Sequence, residues 1–117
     1  MTHRRARKVA EAIRREISIM LQQEEIKDPR IGFVTIVDVE VSGDLREVKV
    51  HVTHYGEKTD REKSLQGLNS AAGFIEGEVG RRLRLKFVPH ITFLYDEKLQ
   101  KALNVLKIMD SLHSPEK

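Results

Sequence analysis

The sequence has no cysteine and no tryptophan. Without thiols there is no disulfide framework, no thiolate metal site and no cysteine nucleophile, and nothing in the chain asks for an oxidising compartment. No run of about 20 apolar residues occurs, so no membrane-spanning helix is expected. The first residues include Arg4, Arg5, Arg7 and Lys8 and are too charged to form the apolar segment of a signal peptide. These absences lead to the expectation of a cytoplasmic protein. A nucleophile motif and a phosphate-cradling glycine loop are also missing. A hydrolase would have to use Asp38, Glu40 and a histidine, yet carboxylates alternating on an exposed strand face are more often solvating groups than acid–base pairs. The histidines, His3, His51, His54, His90 and His113, are scattered. His51 and His54 stand three apart, which on a strand puts them on opposite faces, so no shared metal is expected. No enzyme activity, metal or cofactor is expected.

What is present fits one domain, residues 1–117, with a short tail at about 113–117. A net charge of +3 with a pI near 9.3 is a mild excess, and its distribution says more than its size. Arg4, Arg5, Arg7, Lys8, Arg14 and Arg15 crowd the N-terminal segment against Glu11 alone. Arg81, Arg82, Arg84 and Lys86 form a second run with no acid between them. Lys27 and Arg30 lie between the two. Clustered cations of this kind are the electrostatic footprint of phosphate binding. The plain alternative is a solvated face.

Periodicity supplies the elements. Val9, Ile13, Ile17 and Leu21 recur every four residues and predict an amphipathic helix over 4–23. Asp28-Pro29-Arg30-Ile31-Gly32 ends it. Val37, Val39 and Val41 alternate with Asp38 and Glu40, and Val48, Val50 and Val52 with Lys49, His51 and Thr53. Two such strands joined by Ser42-Gly43-Asp44 predict an antiparallel hairpin with one apolar and one wet face. Thr59 and Glu62 match a capping box for the next helix. Leu65, Leu68, Ala72, Ile75, Val79 and Leu83 then trace one helical stripe interrupted by Gly67, Gly73, Gly77 and Gly80. Each interior glycine costs about 1 kcal/mol relative to alanine, so two helical pieces meeting at a kink are expected. Ile91, Phe93 and Tyr95 predict a third strand. Asp96 can cap a last helix striped by Leu99, Ala102, Leu106 and Met109. Phe33, Phe74, Phe87 and Phe93 read as core. The order α-β-β-α-α-β-α predicts an α+β fold, a three-stranded sheet with helices packed on one face.

Two segments stand out. The first helix carries cations at its start and Glu24 and Glu25 at its end, which opposes the helix macrodipole. Charges that work against their own helix are expected to serve a polyanionic partner. In the helix pair, Gly77-Glu78-Val79-Gly80 matches the GxxG pattern at which some RNA-binding domains admit a nucleic-acid backbone. Val79 belongs to the apolar stripe, however, and Glu78 would repel phosphate. Ala71-Ala72-Gly73 is the better kink, with close helix-to-sheet packing at Gly73 as a companion expectation.

These segments carry a family resemblance. Glu25-Ile26-Lys27-Asp28-Pro29-Arg30-Ile31-Gly32 resembles the loop after the first helix of the ribosome-binding factor A family. Val41-Ser42-Gly43-Asp44-Leu45 resembles its hairpin turn, and Ala71-Ala72-Gly73-Phe74-Ile75 its helix-kink segment, where an Ala-x-Gly kink replaces the GxxG loop. The run from Leu83 to Asp96 is similar to its last strand and flanks. The likeness spans nearly the whole chain in order. It implies a K-homology type II-like fold, binding to the immature small (30S) ribosomal subunit, and help in late maturation of the 16S rRNA precursor, including 5′-end processing. It also implies a link to growth in the cold and release involving an assembly GTPase. A monomer with no membrane partner is expected. The rival reading keeps the fold and changes the target, a general single-stranded RNA- or DNA-binding K-homology module.

Overall fold

A computed structural model describes residues 2–54 and 58–113. The chain runs through helix α1 (Thr2–Gln22), strands β1 (Val34–Val41) and β2 (Glu47–His54), helices α2 (Lys58–Ser70) and α3 (Ala72–Arg82), strand β3 (His90–Tyr95) and helix α4 (Glu97–His113). The sheet order is β1-β2-β3. β1 and β2 pair antiparallel, Val39 opposite Val50 and Val41 opposite Val48. β3 joins β2 in parallel, Val50 opposite Phe93, and a parallel neighbour needs a crossover, here the α2–α3 pair. The Thr59 side chain of the capping box and the tail beyond His113 lie outside the described residues.

Alternation along the strands sorts the two faces. Val48, Val50, Val52, Ile91 and Phe93 are buried with Ile13, Ile17 and Met20 of α1 and Leu68, Ile75 and Val79 of α2 and α3. Asp38, Glu40 and Lys49 are exposed on the other face. The pairing shifts between Ile36 and Asp38. Val37 is therefore the extra residue of a β-bulge, so Ile36 rather than Val37 joins Val39 in the core. The phenylalanines depart further from expectation. Only Phe93 is buried, while Phe33 is 85% exposed and Phe74 and Phe87 about half exposed. Apolar character alone did not distinguish strand interior from loop.

The helical segment breaks at Ala71, with φ −87° and ψ 0°. Its N–H is shared between the carbonyls of Gly67 and Leu68 at 3.0 and 3.1 Å. The expected close packing at Gly73 is corrected: a Cβ there would meet nothing within 4 Å. The tight glycine lies earlier, in α2. A Cβ on Gly67 would come within 3.0 Å of Ile31 Cγ1 and 3.2 Å of Asp28 Cγ, so the loop before β1 rests directly on the backbone of α2. That loop is locally braced. Arg30 donates to Asp28 through its backbone N–H, Nε and Nη2 at 3.0, 2.9 and 2.6 Å, and these bonds hold the Asp28 carboxyl down at about 2. The hydroxyl of Ser64 donates to the carbonyl of Ile31.

Side chains substitute for missing strands at the β3 edge. Phe93 N–H donates to Asn69 Oδ1 at 3.1 Å and its carbonyl accepts from Asn69 Nδ2 at 3.3 Å. Ile91 N–H donates to Glu76 Oε2 at 2.9 Å. Beyond the sheet, Gln100 exchanges two 3.0 Å bonds with the backbone of His54. Asp96 caps α4 through a 2.9 Å bond from Leu99 N–H. Further along α4, Val105, Leu106 and Ile108 are exposed, Leu106 at 60%. The radius of gyration is 16.0 Å, against roughly 13 Å for a compact chain of this length, because α4 projects from the rest.

Candidate nucleic-acid interface

α1 lies antiparallel to β1. Ala6, Arg7 and Ala10 face Val39–Val41 across one groove, and Arg14, Ser18 and Gln22 face Val34–Ile36 across the next. The start of α1 therefore sits at the end of the sheet that holds the hairpin turn and the entry to β3. His90 N–H donates there to the Arg46 carbonyl at 2.8 Å. The second cation run arrives at this end from α3, with Gly80 against Val88 and Pro89.

The period of α1 divides its cations. Ala6, Ile13, Ile17 and Met20 face the core. Arg7, Arg14 and Arg15 flank the groove beside β1. Arg5 shares the helix side of Glu16, the side that meets α3. Arg4, Arg5, Arg7, Lys8, Arg14 and Arg15 are all exposed, and Arg14 makes only a loose 3.8 Å pair with Glu11.

The later cations are less uniform. Arg82 is held among three carboxylates, with Nη2 2.5 Å from Glu25, Nε 3.0 Å from Glu78 and Nη1 3.4 Å from Glu16. It ties α3 to α1 and to the turn after α1. Its side chain is only 23% exposed. Arg81 also pairs with Glu78 at 2.5 Å but remains 69% exposed. Hydrogen bonds from Arg81 and then Arg82 hold the Glu78 carboxyl below its usual range. Arg30 is engaged by Asp28. Lys27, Arg84 and Lys86 are exposed. Ala71 and Ala72 are half-buried and Gly73 is exposed. The acids beside the kink are occupied internally, Glu76 on the β3 edge and Glu78 on the arginines.

Sequence reasoning missed Arg46 and the exposed rings. Arg46 stacks over Phe87 at 4.0 Å, and Lys86 Nζ lies 5.6 Å from the same ring. The missed signal was position: Phe87 precedes Pro89, outside the alternating pattern of β3.

A family model described as ribosome-binding factor A matches residues 5–109. The chain belongs to the ribosome-binding factor A family. Ribosome-binding factor A of Natranaerobius thermophilus is 42% identical over 113 residues, covering 97% of this chain and 86% of that one. The crystal structure of ribosome-binding factor A from Thermus thermophilus superposes with a TM-score of 0.65 at 26% identity, covering 77% of this chain and 94% of that one. A homology model of the Thermus thermophilus factor, fitted into the cryo-EM map of its 30S complex, superposes with a TM-score of 0.51 at 26% identity, over 80% of this chain and 89% of that one. The mixed three-stranded sheet and the helix order are consistent with a K-homology-like fold shared with these ribosome-binding factor A structures.

Proposed function

We propose that this chain binds the small ribosomal subunit and contacts 16S rRNA mainly through phosphates. The carrying observation is family membership along residues 5–109 together with the 30S complex of a relative. The exposed, loosely paired cations of α1 support it, since phosphate contacts need solvent-accessible charge. Arg4, Arg5, Arg7, Lys8, Arg14, Arg15, Lys27, Arg84 and Lys86 supply such charge. Arg81 retains enough exposure to contribute. Arg82 and Arg30 are engaged by carboxylate partners. The run from Arg81 to Lys86 follows α3 towards the entry to β3, where Gly80 lies against Val88 and Pro89.

Co-sedimentation with 30S subunits at rising salt tests this reading. Affinity should fall steeply with salt, and replacing Arg4, Arg5, Arg7 and Lys8 by alanine should flatten the log–log slope by about 3. A salt-independent interaction removes phosphate contact from the proposal, and wild-type binding by the quadruple variant removes the patch at the start of α1. The finer role is assistance in late 16S rRNA maturation, including the 5′ end, with a GTPase acting in release. Precursor 16S 5′ ends should accumulate when the protein is depleted, and primer extension reads that directly.

A further inference from the structure

The sheet has two edges, and the chain treats them differently. Asn69 and Glu76 cap the β3 edge with their own side chains. No hydrogen bond from outside the sheet reaches the β1 backbone among the described residues. Open grooves follow the β1 edge in sequence. The first lies between Arg7 and Val41, the second between Arg14, Arg15 and Val34–Ile36. The third shares Leu21, Gln22 and Val34 with the second and ends at Lys27 and Phe33. Val34, Ile36, Val39 and Val41 line the strand side, and the α1 rim carries Arg7, Arg14 and Arg15 against Glu11. Glu24, Asp28 and Glu40 also line the grooves, Asp28 bonded to Arg30 and Glu40 to His51. The Phe33 ring is 85% exposed at the far end.

We propose that this seam between α1 and β1 is a binding site for a single-stranded RNA segment of about four nucleotides, the length that comparable backbone-tracking grooves hold. The proposal rests on the reading of the chain as an RNA-binding protein. Bases lie on the strand side, where unpaired strand N–H and C=O groups meet their edges. Phosphates follow Arg7, Arg14 and Arg15. Phe33 stacks the terminal base, with Lys27 beside it. An extended peptide could also seek an open edge. Two features favour RNA. The bulge at Val37 interrupts the regular ladder that strand addition needs. The rim charge matches a polyanion, and a solvent-facing ring matches a base.

The test measures fluorescence anisotropy of a labelled hexauridylate with the full chain. It is repeated with Phe33→Ala and with Arg14→Ala/Arg15→Ala, both exposed changes whose folding is verified by circular dichroism. Each variant should weaken the oligonucleotide by about tenfold, while Phe33→Ala, which removes no cation, keeps wild-type 30S co-sedimentation. A photo-crosslinking residue at Thr35 in the groove should label RNA within the 30S complex. Oligonucleotide binding that is the same in both variants overturns the groove site. So does a Thr35 crosslink exclusively to a ribosomal protein, which would assign the edge to a peptide. Both results leave the 30S reading standing, whereas loss of co-sedimentation by the wild-type chain removes that reading and the groove with it.

Discussion

Among the described residues three non-glycines have positive φ, Leu45 in the hairpin turn and two that end helices. Glu24 has φ 54° and Arg84 has φ 53°. After α3, Leu85 N–H donates to the Gly80 carbonyl at 3.0 Å and Arg84 N–H to the Arg81 carbonyl at 3.2 Å. After α1, Glu25 N–H donates to Met20 and Glu24 N–H to Leu21 in the same pattern. Both are Schellman terminations, where the left-handed position usually falls to glycine. A residue with a Cβ there costs about 1 kcal/mol. Arg84→Gly should therefore raise stability by about 0.5–1 kcal/mol in urea unfolding, less a few tenths for the cation lost from the helix end. The same substitution should weaken 30S co-sedimentation, because it deletes an exposed guanidinium. A variant that is no more stable would show that the backbone strain is relieved elsewhere. Such ends are hard to read in sequence. The glycines of the stripe drew attention to Gly73, yet the turn that matters has no glycine, and the packed glycine is Gly67.

At the scale of elements the sequence was informative wherever burial follows a period. The stripes of α1 and of α2–α3 and the alternation of β2 all point inward as their spacing requires. Legibility failed where position depends on partners distant in sequence. The bulge at Val37, the exposure of Phe33 and Phe87, and the capping of β3 by Asn69 and Glu76 depend on contacts that no local pattern encodes. The acids at the end of α1 illustrate the point for the site. Glu25 opposes the dipole of its own helix, but it meets Arg82, so part of the apparent conflict is structural. Among the described residues the cations at the start of α1 have no comparable ion pair. Arg82→Ala should consequently cost about 1 kcal/mol, the scale of a partly exposed ion-pair network, and the loss should shrink in high salt. Arg81→Ala, whose side chain is largely exposed, should leave stability nearly unchanged. Equal losses in the two variants would contradict the division between a locking arginine and a contacting one.

For the whole molecule, the response of stability to pH follows from two groups on either side of the loop before β1. His54 ends β2 on the buried face at 6% exposure. Its Nδ1 has no hydrogen-bond partner among the described residues, and its Nε2 would lie 3.2 Å from a Cβ on Gly32. Burial pushes its pKa below the ordinary value, opposed by the charge of Asp60 and assisted by that of Arg61. A histidine depressed in the folded state binds fewer protons there than in the unfolded chain. Its contribution is present above the unfolded pKa, near 6.5, and is lost as pH falls below it. Asp28 is depressed to about 2 by its bonds from Arg30, so its contribution persists until pH falls below about 4 and disappears near 2. Urea midpoints should thus be level above neutrality, decline as pH drops below about 6.5, and decline again below about 4. His54→Leu should flatten the upper step and leave the lower one. Asp28→Asn should do the reverse. An upper step that survives in His54→Leu would show that the buried ring is not what couples the sheet to pH.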